Sequence, residues 1–508
     1  MKRMKDFIVI FLFISGLAGI SSCRDDLSSL DLNKIDGAVV DTTEMSSFSV
    51  YQFEHLVVKP KLSLEGRQEA DFSYEWKMNL SPSSTVYEVL GREKNLDAEI
   101  RFRPYTTGDY QLVYTVTDKN NGLNYITVWP LTVKNSIGEG LVVAETTDGQ
   151  QSDLSHIMSP RVTPDYTSES IKRHVYSAVN GRLIPGVVKQ LSYDYEASAL
   201  FGITDNSIVR VNTLDYTAAG TNDDLFHAGR GTYSPVAIDR INQSNIYIEN
   251  GRLTATYIAT TKKFGIAYDY AFSVPKQIAL SKVPSPVVAI NFYDEGKGYF
   301  VYQPSVYSFG DNKMHAIPAA TGKAFNAGNL PGKQNLAAGT GVDGEFLHVL
   351  KDKATANVSL YVLDKGSSTG STTLPPEPKS VFDLTNAPDI ANATRFVFME
   401  NQRVLYYATR NKIYAVLYGT SVATFAERYT APAGEEITTL QVYQQGDYPF
   451  RDKVYSASNN TQLIMSTYST EGKVYILPLI NVGLGNIDQA NIKYFGGFGR
   501  ITAIIPQK

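Results

Sequence analysis

Ile246-Tyr247-Ile248-Glu249-Asn250-Gly251-Arg252-Leu253-Thr254-Ala255-Thr256 reads as two short strands joined by a two-residue turn. A type I′ turn needs φ > 0 at both central residues, and Asn-Gly is the strongest short-range signal for it. The β-branched and aromatic residues before the turn supply strand propensity. The same unit, an apolar run, a tight turn and a second apolar run, recurs along the chain. It is found at 141–145 with Asp148-Gly149, 199–204 with Asp205-Asn206, 299–302 ahead of Asp311-Asn312, 346–350 with the turn at 351–353, 405–409 with Arg410-Asn411, and 464–468 with Glu471-Gly472. The turns follow one another at a mean step of about 54 residues, which is the length of a four-stranded blade with its loops. Residues 140–508 therefore read as a β-propeller of seven blades, although six or eight also fit so irregular a spacing. A last strand, Ile501-Thr502-Ala503-Ile504-Ile505, is expected to pair near Leu141 and close the ring, which removes its exposed edges.

Upstream of the propeller the runs are shorter and alternate. Phe72-Ser73-Tyr74-Glu75-Trp76-Lys77, Ala98-Glu99-Ile100-Arg101-Phe102, Tyr110-Gln111-Leu112-Val113-Tyr114-Thr115-Val116 and Tyr125-Ile126-Thr127-Val128-Trp129 follow at intervals of roughly ten residues, the pattern of a β-sandwich. Trp76 stands where an immunoglobulin-like fold keeps its third-strand tryptophan and is expected in the core. Gly108-Asp109-Tyr110 precedes a strand as a tyrosine corner does. The stretch that includes Tyr110-x-Leu112-x-Tyr114-x-Val116-Thr117-Asp118 resembles the PKD-like domain of Bacteroidota surface lipoproteins. That domain is assigned to residues 48–136, and Asn135-Ser136-Ile137-Gly138-Glu139-Gly140 is a short linker to the propeller. The fold class is thus all-β.

The chain has 508 residues, 43% hydrophobic and 19% charged, with 33 Tyr and 23 Phe, a composition that folds rather than staying disordered. Lys and Arg number 47 against 51 Asp and Glu, so no basic excess exists to neutralise a nucleic-acid backbone, and nucleic acid is not an expected partner. One cysteine excludes an intrachain disulfide framework and any Cys-rich zinc or iron–sulfur site.

The first residues carry three positive charges and lead into an apolar run from Phe7 to Ile20, too short to span a hydrocarbon core. Residues 1–22 are read as a secretory signal peptide. Ile20-Ser21-Ser22-Cys23 resembles the lipobox of bacterial lipoproteins, which implies that Cys23 is acylated and becomes the new N-terminus. Arg24-Asp25-Asp26 resembles the short acidic signal by which Bacteroidota send lipoproteins to the outer face of the outer membrane. The polar, unpatterned residues of 23–47 then serve as a tether, and attachment comes from acyl chains rather than from a polybasic patch.

Motifs that carry chemistry are few. Gly339-Thr-Gly341-Val-Asp-Gly344 matches G-x-G-x-x-G, but a dinucleotide fingerprint must open a helix, and here a strand resumes at Glu345-Phe346. His227-Ala-Gly229-Arg230-Gly231 reads as an inter-blade turn, and Asp223-Asp224 and Glu435-Glu436 as solvated turn charges. The six histidines lack ligand spacing, and no G-x-S-x-G elbow appears. Neither metal, cofactor nor catalytic residue is expected. The remaining candidate is the loop Tyr443-Gln444-Gln445-Gly446-Asp447-Tyr448-Pro449-Phe450-Arg451, in which Tyr443, Tyr448, Phe450 and Arg451 would suit contact with a partner or ligand.

A PKD-like sandwich and a propeller behind this export signal resemble the accessory lipoproteins of SusCD-type, TonB-dependent nutrient importers. The resemblance implies a non-enzymatic surface subunit that docks on importer subunits and helps capture an oligopeptide or a glycan. Oligopeptide is favoured because the only two tryptophans, Trp76 and Trp129, fall in the sandwich, whereas glycan platforms commonly stack sugars on tryptophan. The alternative is a surface hydrolase or lyase whose site lies at the channel mouth. A pair of convergent carboxylates or a histidine cluster there would favour catalysis, and an aromatic groove without titratable groups would favour binding.

Overall fold

The run Val404–Ala408, Val-Leu-Tyr-Tyr-Ala, is buried at all five positions. Side chains of a strand point alternately to the two faces of its sheet, so a run without a polar position needs apolar neighbours on both sides. A computed structural model shows how they are supplied. It describes residues 37–43, 45–64, 66–105, 107–163, 166, 168–241, 244–256, 263–267, 272–282, 288–303, 313–369, 372–449 and 456–508.

Among those residues the propeller has seven four-stranded antiparallel blades. From the inner strand outward, the first blade is Arg500–Gln507, Gly140–Thr146, Gln151–Met158 and Ser170–Lys172. The second is Gln190–Asp194, Ala199–Ile203, Ile208–Asn212 and Ala218–Thr221, and the third Pro235–Ile241, Ser244–Glu249, Arg252–Thr256 and Phe264–Ala267. Ala279–Leu280, Ile290–Asp294, Tyr299–Gln303 and His315–Ala316 form the fourth, and Lys333–Thr340, Phe346–Asp352, Val358–Leu363 and Pro378–Asp383 the fifth. The sixth is Arg395–Phe398, Val404–Ala408, Lys412–Leu417 and Thr424–Thr430. The seventh is Glu436–Val442, Gln462–Tyr468, Gly472–Ile480 and Lys493–Phe498.

Each blade junction holds one apolar cluster, and single strands feed two of them. Leu405 and Tyr407 pack with Leu347, Val349 and Leu360 of the fifth blade, while Val404, Tyr406 and Ala408 pack with Leu463, Met465 and Leu477 of the seventh. In the same way Ile246 and Ile248 face the fourth blade and Tyr247 the second. Full burial of one such side chain is worth roughly 1.5–3 kcal/mol, and a blade collects it on both faces only when it has two neighbours.

The ring closes as the sequence predicted. Arg500–Gln507 lies antiparallel to Gly140–Thr146 with Val142 opposite Ile505, Val143 opposite Ile504 and Ala144 opposite Ala503. A bulge between Ala144 and Glu145 turns the buried Glu145 carboxylate onto the Gly499 amide, which donates to Oε2 at 2.5 Å, and onto the Ser155 hydroxyl.

Two turns differ from the sequence reading. In the fourth blade the turn that joins the second and third strands is 295–298, whereas Asp311-Asn312 lies outside the described residues. In the fifth blade Lys351 and Asp352 stay in the strand, and the turn follows them. The cause is the same in both: the last strand residue is an Asp whose Oδ1 folds forward onto two amides. Asp294 takes Gly296 N at 2.9 Å and Lys297 N at 3.0 Å, and Asp352 takes Ala354 N and Thr355 N, both at 2.9 Å.

The N-terminal unit is built on a five-stranded antiparallel sheet, in the order Phe48–Tyr51, Asn124–Lys134, Tyr110–Asp118, Phe72–Asn79 and Tyr87–Gly91. Glu54–Val58 pairs with Leu96–Ile100, and Val39–Asp41 with Lys61–Ser63. Ordered pairing therefore begins inside the segment read as tether. Trp76 is fully buried, stacks on Tyr114 at 4.1 Å and donates Nε1–H to Glu93 O at 3.0 Å, so it is core, as expected.

Two buried histidines make stability depend on pH. His348 meets Asn291 Oδ1 at 2.6 Å, and His156 is enclosed beside Tyr216. Burial pushes both down to about 3, with Lys172 adding to the effect on His156. Below the ordinary histidine value of 6.5 the unfolded chain binds protons that these two sites refuse, so stability is complete above that value and is lost as pH falls toward 3. Between pH 6.5 and 5, before most carboxylates titrate, the unfolding free energy should fall by about 1.4 kcal/mol per pH unit for each site once well below 6.5. Urea titrations across that window check this, and His348→Gln should remove about half of the slope.

Candidate functional site

The seven inner strands surround a channel of about 690 Å³. Strands pressed between blades on both faces are apolar, but the inner strands turn part of their surface to the axis, and there the sequence becomes polar. The second blade contributes Gln190 and Ser192, the third Asp239 and Arg240, and the fourth Lys276, Gln277 and Lys282. Thr394 and Arg395 come from the sixth, Thr439 and Gln441 from the seventh, Thr502 from the first, and the small Ala337 and Ala338 from the fifth.

Groups at the starts of the inner strands meet at one mouth. Lys189 immediately precedes Gln190–Asp194, Lys276 precedes Ala279–Leu280, and Arg395 opens Arg395–Phe398. Enclosure by the channel wall pushes the Lys276 ammonium down, and the charges of Arg395 and Lys189 push it further. Arg395 is likewise lowered by enclosure. Its guanidinium is fixed by donation to Thr394 O at 3.0 Å and Thr438 O at 3.1 Å. Lys189 pairs with the exposed Asp205.

Groups that follow the inner strands meet at the other mouth. Lys282 Nζ donates to Gln444 Oε1 at 2.7 Å and lies 6.0 Å from the centroid of the Tyr448 ring. Asp239 is exposed to the channel, and desolvation by the surrounding wall raises its carboxyl against the pull of Lys282 and of the Arg240 amide, 2.7 Å away. Among the described lining residues Asp239 is the one carboxylate, and no histidine lines the channel.

The predicted contact loop divides. Tyr443 is buried in the junction between the seventh and first blades, with its hydroxyl donating to Val162 O at 2.9 Å; it is core, not an exposed contact. Tyr448 is half-buried and lines the channel, with burial and then the neighbouring Glu400 raising its hydroxyl. The loop thus folds toward the axis. Phe450 and Arg451 lie outside the described residues, as do Cys23, Arg24, Asp25 and Asp26.

Other motifs resolve into structure. At Gly339 an added Cβ would lie 2.4 Å from the Phe398 ring, and at Gly341 2.7 Å from Leu347, so those glycines serve packing, and a strand follows them as expected. Arg230 pairs with Glu249 at 2.5 Å, and Asp223 accepts from the Arg230 amide at 3.0 Å. Glu435 is not a solvated turn charge. It is buried and accepts from Thr467 at 2.5 Å, Lys473 at 2.6 Å and Tyr475 at 2.9 Å. Among the described residues no group of three His, Cys, Asp or Glu side chains is placed to hold a metal.

The sequence reading missed Lys189, Lys276 and Arg395. The signal was present as a cation at or just before the first strand of three separate blades, but nothing local joins them.

Residues 23–187 match the model of the PKD-like family, a span that takes in the sandwich and runs into the first blade. No curated protein matches the chain. Among solved structures the chain is similar to a quinonprotein alcohol dehydrogenase-like protein from Bacteroides thetaiotaomicron, with 10% identity and a TM-score of 0.47 over 93% of this chain and 98% of that one. It is also similar to Hsv2 of Kluyvelomyces marxianus, with 6% identity and a TM-score of 0.36 over 70% of this chain and 92% of that one.

The two loop tyrosines should separate in stability. Tyr443→Ala is expected to lower the unfolding free energy by about 3–5 kcal/mol, as for a large aromatic removed from a core. Tyr448→Phe should change it by no more than about 1 kcal/mol. Urea midpoints of the two variants check this.

Proposed function

We propose that the protein is an outer-membrane surface lipoprotein, anchored through Cys23 and exported by Arg24-Asp25-Asp26, that captures an oligopeptide or glycan in its propeller channel and serves a SusCD-type importer as an accessory subunit. The observation that carries this reading is the channel itself. Its volume of about 690 Å³ falls in the range of small-ligand sites. Strands of six of the seven blades present amides, hydroxyls and charges to its interior, the convergent polar groups that orient a ligand. The PKD-like match over residues 23–187 is compatible with a surface accessory protein.

The lining supports binding over hydrolysis. Glycoside hydrolysis in its usual form employs two carboxyl groups across the scissile bond, and the described lining residues offer Asp239 alone. Cations, amides and hydroxyls suit a ligand held by polar contacts.

Detergent-solubilised native outer membranes test the proposal. Affinity purification of the wild-type chain should bring down importer subunits identifiable by mass spectrometry. Cys23→Ala should abolish acyl labelling, release the protein from washed membranes and lose those subunits. A wild-type chain that is acylated yet isolated alone would count against the importer role, and a Cys23→Ala chain that stays in the membrane would count against the anchor.

A further inference from the structure

Lys189, Lys276 and Arg395 belong to the second, fourth and sixth blades, so they stand around the mouth of the channel rather than along one wall. The chain as a whole carries a net charge of −4, which makes a local gathering of three cations a departure from its average. Only Lys189 has a carboxylate partner among the described residues, the exposed Asp205. Arg395 is held by two backbone carbonyls, which fix its position and leave its charge uncompensated. Like charges gathered at one mouth repel one another, and an entering anion relieves that repulsion.

We propose that this mouth binds an acidic oligosaccharide, with its carboxylate or sulfate groups seated between Lys276 and Arg395. The inference rests on the reading of the channel as a capture site and names the ligand class. A carboxylate or sulfate supplies the missing countercharge and accepts charge-assisted hydrogen bonds from both side chains. A fixed guanidinium loses little freedom on binding, which favours affinity. The wall beside the cations presents Gln190, Gln277 and Thr394, whose amides and hydroxyl match the hydroxyl groups of a sugar. The repulsion that already weakens the Lys276 ammonium is relieved by the same anion.

Calorimetric titration of the full chain in detergent tests this, with trigalacturonate, maltotriose and triglutamate as probes. Trigalacturonate should bind the wild-type protein at least about tenfold more tightly than maltotriose, and its affinity should fall as salt rises from about 50 to about 300 mM. Lys276→Met and Arg395→Gln should each weaken it by about tenfold or more with unchanged thermal unfolding. The proposal is overturned if trigalacturonate fails to bind at low salt, or if both variants retain wild-type affinity. Tighter binding of triglutamate than of trigalacturonate would overturn the sugar assignment in favour of an acidic peptide. Maltotriose binding that equals trigalacturonate binding in all three proteins would overturn the anion site while leaving the capture reading standing. Loss of importer subunits from the wild-type purification would instead strike the importer role alone.

Discussion

The pairing of Arg500–Gln507 with Gly140–Thr146 is the contact on which the propeller depends. Every blade is apolar on both faces, so each needs a neighbour on both sides, and a row of blades meets that need at its ends only by closing. The first blade shows the consequence. Leu141, Val143 and Ile504 face the seventh blade, whereas Val142, Ala144 and Ala503 face the second. Removing the closing strand would strip residues from both clusters at once and leave an open sheet edge. Because that strand comes from the far end of the chain, closure is a non-local event and is expected to be late in folding.

Closure also creates the channel. Inner strands held between blades have little freedom to move, so side chains at their ends are placed precisely relative to one another although they lie far apart in sequence. Lys189, Lys276 and Arg395 are brought to one mouth in this way, and Lys282, Gln444 and Tyr448 to the other. A charge cluster built on strands, with only Lys189 of its three cations paired to a carboxylate among the described residues, can be held because the junction clusters, not the channel wall, supply the stability. Repulsion between these cations can therefore be tolerated in the empty channel, which is what the proposed anion site draws on.

Much of the fold was legible in the sequence because its signals are local. Asn250-Gly251 marks a hairpin within two residues, and runs such as Val404–Ala408 announce a strand buried on both faces. The closing strand was legible from Ile501 to Ile505 because a propeller needs one. The turn of the fourth blade was not, since the carboxylate of Asp294, which folds back onto the Gly296 and Lys297 amides, leaves no diagnostic dipeptide. The site was less legible still. Tyr443 and Tyr448 lie five residues apart in an aperiodic loop, and nothing local says that one enters the core and the other the channel. Glu435 looked like a turn charge because Thr467, Lys473 and Tyr475, which bury it, lie on other strands. The three cations of the mouth are related only by the closed ring.

Native-state hydrogen exchange, read by mass spectrometry across a denaturant series, tests the closed ring most directly. Peptides covering 140–146 and 500–507 should exchange only through global unfolding of the propeller, with the same denaturant dependence as peptides covering 404–417 from the middle of the ring. Fast exchange of 500–507 through local opening, while 404–417 stays protected, would contradict the dependence of the blades on the closing strand.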